Sequence, residues 1–271
     1  MWSVGARTLF RREVLRFVRR PKNTFMPPAI TNVLYFAVFG VILGGRIDEI
    51  AGFEYILFIL PGLIVLGTIS NAFENASFSI FHGRWNEYIH ETVTSPLSYA
   101  EMVLAYVGAA AVRGLIVGVI VAAVGVVFVP LTVESGGVTV HNALYLVAVL
   151  TTISMLFAAL GIVGGLAARD FDDLTVMNQF ILRPLVFFGA VFYSLEMLPT
   201  TWQVVSLANP MVSMVDGVRY GFLGYSDLAA VGPSAYEGVV PFLTLAALAL
   251  VTALVIALDV VLFERGYGLT E

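Results

Sequence analysis

Apolar residues in this chain fall in long runs rather than in strict alternation. A bilayer core of roughly 30 Å takes about 20 helical residues to cross, and six runs are near that length. The first is Phe25–Leu43, closed by the polar turn Gly44-Gly45-Arg46-Ile47-Asp48-Glu49. The second is Tyr55–Phe73, with Pro61-Gly62 near its start, and a polar stretch Glu74–Glu101 follows it. The third lies within Met102–Phe128 and Pro130 ends it. Ala143–Ala168 is the fourth, followed by the charged turn Arg169-Asp170-Phe171-Asp172-Asp173, in which Asp172 and Asp173 read as helix N-caps. Leu174–Tyr193 is the fifth and Val239–Phe263 the sixth. Two apolar segments between them, Ser194–Ala208 and Pro210–Leu223, are too short to span and suit re-entrant or interfacial helices. Tyr225–Gly238, with Pro233, reads as a loop.

The first 22 residues carry a different pattern. At 100° per residue, Ala6, Phe10, Val14 and Phe17 gather on one side of a helix, with Arg12, Arg16, Arg19 and Arg20 broadly opposite. Such a basic amphipathic helix lies at a membrane surface, and Pro21 is expected to break it. A cleaved signal peptide fits poorly, because about two dozen residues precede the first apolar run. The expected fold is therefore all-α and integral to the membrane: a single domain over 1–271, with an interfacial helix over 1–22 and a six-span core over 25–263.

Composition supports that class. Charged residues make up 12% of the 271, against about 25% in soluble domains, and mean hydropathy is +0.92. The net charge of −5 argues against a nucleic-acid partner. With no cysteine, disulfides, thiolate metal sites and cysteine nucleophiles are excluded. Positive charge also orients the chain. With the N-terminus in the cytoplasm, that side receives seven N-terminal charges plus Arg84, Arg169 and Arg265, ten in all, while Arg46 and Arg219 lie outside. Arg113 and Arg183 fall within spans. Both termini are then expected in the cytoplasm of a multi-pass cell-membrane protein.

Catalytic chemistry finds little purchase. A P-loop needs a lysine after its glycines, and the only lysine, Lys22, follows Arg19-Arg20-Pro21. His82, His90 and His141 all sit in expected loops, and His90-Glu91 fails as a zinc motif because position 94 is Thr. The carboxylates Glu74 and Asp259 lie near span ends rather than at mid-membrane. Arg113, midway along the third span, reads in two ways: as a contact to an anionic substrate headgroup, or as a structural arginine bonded to carbonyls or a neighbouring carboxylate. Gly40-x-x-x-Gly44 and Gly114-x-x-x-Gly118 allow close helix packing, more readily within one protomer than at a dimer seam.

The segment Glu74-Asn75-Ala76-Ser77-Phe78-Ser79-Ile80, with Arg84, Glu87-Tyr88-Ile89-His90-Glu91 and Ser95-Pro96-Leu97-Ser98, resembles the coupling segment of ABC-2 type transporter permeases. So do Arg169–Asp173, Pro184–Ser194, Leu198-Pro199-x-x-Trp202-Gln203, Asn209-Pro210-Met211 and Gly217–Gly224, in that order. The resemblance covers nearly the whole chain and is most specific over Pro199–Gly224, nearest to multidrug, polysaccharide and lipooligosaccharide exporters. It implies a permease homodimer served by two copies of a separate ABC ATPase, which would hold the ATP and Mg, leaving this chain without cofactor or catalytic residue. It implies export of a lipid-linked, glycan or hydrophobic drug-like substrate. The alternative is a membrane protein that recruits an ATPase without moving cargo. By resemblance, Phe78, Phe81, Arg84, Trp85, Glu87 and Tyr88 couple to the ATPase, although such aromatics also suit a lipid interface. Pro199, Trp202, Asn209, Pro210 and Arg219 would shape an outer gate or serve structure alone. Asp216 is given no substrate role.

Overall fold

The computed structural model describes residues 3–47, 49–131, 138, 140–231 and 238–269. Asp48 of the first polar turn, Pro233 of the last loop and the terminal Thr270-Glu271 lie outside the described residues.

Helix α1 (Val4–Val18) starts where Ser3 Oγ accepts the Ala6 amide at 3.2 Å, satisfying one of the free N–H groups of a helix start. Its buried face is Ala6, Leu9, Glu13 and Phe17, which turns the expected apolar stripe of Ala6, Phe10, Val14 and Phe17 by about one residue. The shift puts a carboxylate inside, and the reason is the set of donors that meet it, described below. Pro21 does not only stop α1: it opens the next helix, where its fixed φ and missing N–H are tolerated. That helix, α2 (Pro21–Tyr35), runs on through π-helical turns (Phe36–Leu43) as one rod of 23 residues. A two-residue hairpin, β1 (Glu49–Ile50) with β2 (Phe53–Glu54), turns the chain.

Helix α3 (Tyr55–Trp85) is the axis of the fold. Its 31 residues reach about 46 Å at roughly 1.5 Å each, and almost every position is buried. The expected second span ends at Phe73, but the helix continues twelve residues further. The polar residues that suggested an end, Asn75, Ser77 and Ser79, point inward and are 3% exposed or less. Only the short α4 (Ile89–Val93) is separate within the polar stretch. Helix α5 (Tyr99–Phe128) begins earlier than the expected third span, at a capping box in which Ser98 and Glu101 satisfy each other's backbone. Helix α6 (Ala143–Ala167) packs with α5 against α3.

Residues 171–187 form one rod with α-helical ends, α7 (Phe171–Val176) and α8 (Arg183–Phe187), around π-helical turns (Met177–Leu182). Its N-cap is Asp170, which accepts the Asp173 amide at 2.9 Å, and Asp173 in turn accepts the Arg169 amide at 2.9 Å. The expected caps Asp172 and Asp173 lie two and three places past the observed cap, because the first helical residue is Phe171. Short helices α9 (Thr200–Leu207), α10 (Pro210–Leu223) and α11 (Asp227–Val231) follow, and α12 (Val240–Glu264) closes the bundle.

Among the described residues, five helices are long and apolar enough to cross a membrane: Pro21–Leu43, α3, α5, α6 and α12. The rod over 171–187 is shorter, about 25 Å at roughly 1.5 Å per residue. The chain is an all-α, multi-pass membrane protein. Gly114 and Gly118 pack inside the protomer, as expected: a Cβ on Gly114 would stand 2.5 Å from Ser154 Oγ and 2.9 Å from the Thr68 carbonyl oxygen.

Candidate functional site

Polar side chains concentrate at the two ends of α3. At the α1 end, the Glu13 carboxylate is 3% exposed and accepts four groups. Arg12 Nη2 donates at 3.0 Å, Arg16 Nε at 3.1 Å and Ser79 Oγ at 2.6 Å, with Arg12 Nε at 3.2 Å. Arg12 Nη2 also donates to the Tyr106 hydroxyl at 3.2 Å. Arg16 Nη2 reaches the Asn75 carbonyl at 2.8 Å and its side-chain oxygen at 3.1 Å. That same Asn75 oxygen accepts Arg113 Nη1 at 3.4 Å, while Arg113 Nη2 bonds Asn71 at 3.3 Å and Glu74 at 3.2 Å. One polar chain thus runs from the surface helix through α3 to the intramembrane arginine on α5. The neighbouring carboxylate foreseen for Arg113 is Glu74.

A second tie holds the start of α1. The Ser3 amide donates to Glu101 Oε1 at 3.2 Å, and the Ser98 amide and hydroxyl donate to Oε2 at 3.2 and 3.1 Å.

Of the coupling residues inferred from sequence, the structure gathers three around one ring it did not single out. Phe81, Trp85 and Phe78 surround Phe171 of α7 with centroid distances of 4.7, 5.6 and 6.4 Å, and His82 completes the cluster at 5.2 Å. Phe81 is buried there, while Trp85 remains 61% exposed. Arg84 points the other way: its Nη1 donates to the carbonyls of Gly165, Leu166 and Ala168 at 2.9, 2.9 and 3.0 Å, capping the end of α6. Glu87 is exposed and has φ of +62°, a left-handed conformation that costs a non-glycine residue roughly 1–2 kcal/mol. Tyr88 lies under Arg12, whose guanidinium carbon is 5.8 Å from the ring centroid. Burial and the Glu13 charge push the Tyr88 phenol up. Arg84, Trp85, Glu87, His90 and Arg169 line a groove of about 490 Å³ at this end.

At the far end, Arg219 is wholly buried. It pairs with Asp227, donates to the Ala190 carbonyl at 2.6 Å and lies 3.8 Å from the Phe58 ring centroid. Asp227 also accepts Ser194 Oγ at 2.5 Å and the Tyr225 hydroxyl at 3.1 Å. Ala190 has φ of +59°, and its carbonyl is the one Arg219 holds. Asp216 accepts Ser226 Oγ at 2.7 Å and the Leu228 amide at 3.3 Å. These bonds tie α10 to α11 and to the turn at Ala190 and Ser194, and the Phe58 contact lays Arg219 against the start of α3. Asn209 caps α10 through the Met211 amide at 3.0 Å and ties it to Leu185 at 2.8 Å, with Pro210 in the first turn. Pro199 caps α9, and Trp202 projects from it, 61% exposed. The partners sequence reading missed, Glu13, Phe171 and Asp227, were single residues whose significance depends on what tertiary structure brings to them.

Comparison with known proteins bears on the whole arrangement. Residues 5–223 match the family model described as ABC-2 type transporter. The chain is 38% identical over 231 residues to the inner membrane transport permease YadH of Escherichia coli strain K12, covering 85% of this chain and 88% of the relative. It is 24% identical over 249 residues to nodulation protein J of Rhizobium leguminosarum bv. viciae, covering 89% and 92%, and 23% identical over 229 residues to nodulation protein J of Rhizobium meliloti strain 1021, covering 83% of each. The match spans both polar ends of α3, from the surface helix to the last turn of α10, and on it this chain belongs to the ABC-2 type transporter family of membrane permeases.

Proposed function

We propose that the chain is the membrane-spanning subunit of an ATP-driven exporter, working as a homodimer with two copies of a separate ATPase that carries the ATP and Mg. In this reading both termini face the cytoplasm, the 171–187 rod is a sixth span, and α9 and α10 are re-entrant from the outside. Cargo would be a lipid-linked, glycan or hydrophobic drug-like molecule taken from the cytoplasm or inner leaflet. Catalysis would belong wholly to the partner.

The observation that carries the reading is the half-exposed aromatic cluster at the end of α3. Trp85 stands at the rim of a groove, backed by Phe81 and Phe171, so a partner pressing on it would push directly on the axial helix and on the 171–187 rod. Interfaces favour exposed Trp and Arg anchors of this kind. Glu87, strained and exposed beside it, fits a contact site better than a packing site. At the other end, the Arg219 clamp joins α3 to α10 and α11, so motion of α3 reaches both ends. Rigid elements with two arrangements are how domain closure is passed on elsewhere.

The test is reconstitution. The purified permease is expected to show no saturable ATP binding, and addition of its cognate ATPase to give a complex whose hydrolysis responds to cargo. Micromolar ATP binding by the permease alone would reject the division of labour. A stable complex with no cargo response across lipid, glycan and drug-like candidates would favour a recruiting role instead.

A further inference from the structure

A cavity of about 180 Å³ opens between α2, α3, α5 and α8. Its lining is polar for a site within spans: Arg113, Arg183, Glu74, Asn71, Asn32 and Thr31 contribute. Three features of that lining lack an explanation in the packing. Arg183 is exposed at the start of α8, four residues before the end of the 171–187 rod, and no hydrogen-bond or ion-pair partner meets it among the described residues. Nε of Arg113 is buried without a partner. So is Oδ1 of Asn32, whose amide nitrogen alone is used, donating to Pro28 at 2.8 Å. An unpaired arginine within a span is costly and marks a functional position unless something pairs with it.

We propose that this cavity binds the anionic headgroup of a phosphate-bearing amphiphile, one that also carries a hydroxyl. Two guanidinium groups against one carboxylate leave the site net positive. Planar guanidinium groups match phosphate oxygens better than any other side chain. Asn32 Oδ1 is an acceptor and so calls for a donor, which a phosphate diester lacks and a glycerol or sugar hydroxyl supplies. The volume is below the roughly 300–1,000 Å³ of drug-sized pockets, which suits a headgroup with its chains left in lipid. The entrance fits as well. Asn23, Thr24 and Arg113 are shared with a wider opening of about 560 Å³, which Arg16, Arg19 and Arg20 also line. Those arginines would draw an anion from the inner surface before it meets Arg113 and Arg183. Export of the bound molecule rests on the transport reading above; its binding does not.

The experiment uses the full-length permease without its ATPase, in phosphatidylcholine nanodiscs, titrated with short-chain phosphatidylglycerol. Saturable binding is expected, weakened about tenfold in Arg183→Gln, the loss of one charge-assisted contact. Arg183→Lys should recover part of it. Thr31→Trp, which fills the cavity without touching a charge, should abolish binding, and it keeps the proposal testable if Arg183→Gln inserts poorly. Inorganic phosphate separates the two sources of the anion: competition at similar concentration and with the same Arg183 dependence identifies a phosphate site indifferent to lipid, and weak competition identifies the amphiphile. Equal binding of short-chain phosphatidylcholine, or affinity unchanged in both Arg183→Gln and Thr31→Trp, overturns the proposal. Transport by the assembled complex together with unselective binding would overturn it while sparing the export reading, and selective binding without transport would do the reverse.

Discussion

Ser79 donates its hydroxyl to Glu13 at 2.6 Å across the joint between the surface helix and the axial helix, and both side chains are buried. A carboxylate in such a place is tolerated only when its lone pairs are filled, and here Arg12 and Arg16 fill the others. The two arginines remain partly exposed, so their Coulomb contribution is screened and the buried hydroxyl bond gains in weight. Glu13→Ala removes the acceptor shared by Ser79 Oγ, Arg12 Nε and Arg16 Nε, while the Arg16–Asn75 and Arg12–Tyr106 bonds remain. Roughly 1–3 kcal/mol of α1 docking should be lost. Faster hydrogen exchange confined to residues 4–18 would report it, and a double-mutant cycle with Ser79→Ala should give a coupling above about 0.5 kcal/mol. Exchange unchanged in α1 would mean that the apolar face of Ala6, Leu9 and Phe17 and the remaining ties to Asn75, Tyr106 and Glu101 hold the helix without Glu13.

Arg219 presents the more severe case. It is fully buried, and it ties Asp227 to the Ala190 carbonyl beside the Ser194–Asp227 hydrogen bond that links the same two segments. Removing one partner of a buried pair costs roughly 3–5 kcal/mol because the survivor is stranded. Arg219→Ala should therefore abolish accumulation of folded protein in membranes. Arg219→Lys should not rescue it, since an ammonium group cannot reach Asp227 and Ala190 together while lying flat on Phe58. Arg219→Met with Asp227→Leu, which removes both charges, should recover much of the yield. Recovery by lysine alone would show that charge matters there and geometry does not.

Five of the six expected spans were legible in the sequence because hydropathy is a property of single residues summed along a helix, and no tertiary detail is needed to see Ala143–Ala168; the expected Leu174–Tyr193 is instead a shorter rod over 171–187. The continuation of α3 from Phe73 to Trp85 was not. Glu74, Asn75, Ser77 and Ser79 are polar, and polarity alone cannot separate a loop from a helix whose polar face meets α1. Glu13 failed for the same reason, as its burial depends on Ser79, a residue 66 places away. Trp85 and Arg84 are neighbours in sequence that point to different surroundings, which no linear pattern reports. Arg219 had been counted on the outside in the charge-based orientation, yet in a buried pair it cannot act as a free positive charge near a membrane surface.

Orientation can be tested directly because the native chain contains no cysteine. Asn86, exposed just past α3, and Val140, 47% exposed ahead of α6, lie at opposite ends of the bundle. A cysteine at 140 should react with a membrane-impermeant maleimide in intact cells. A cysteine at 86 should react only after the membrane is opened. Ser226 would be a poor probe, being buried against Asp216. Labelling at 86 in sealed cells would invert the topology and move the groove beside Trp85 out of reach of any cytoplasmic ATPase.

The coupling segment is best tested by two adjacent residues with opposite expected defects. Arg84 caps three carbonyls at the end of α6 and faces inward, so Arg84→Ala should cost about 1.5–3 kcal/mol of stability, the range for hydrogen bonds from a charged donor. Its thermal unfolding midpoint in detergent should fall, and ATPase association should change only as far as folding does. Trp85 is 61% exposed, and its ring touches Phe81 and Phe171 by one side only. Trp85→Ala should leave insertion and the unfolding midpoint nearly unchanged. If Trp85 anchors the ATPase, truncation should weaken the complex by about 2 kcal/mol or more, roughly thirtyfold in Kd, and abolish ATP-driven transport. Phe171→Ala should follow Trp85 rather than Arg84 in its effect on association, because the Phe171 ring holds the tryptophan in place, but with some loss of stability from the buried Phe81 beside it. The two columns of measurement, midpoint and affinity, should thus separate the residues cleanly. Equal loss of stability in both variants would make Trp85 a packing residue, and normal affinity with normal transport in Trp85→Ala would leave it a lipid-interface side chain and shift the coupling role to Glu87 and His90, which line the same groove.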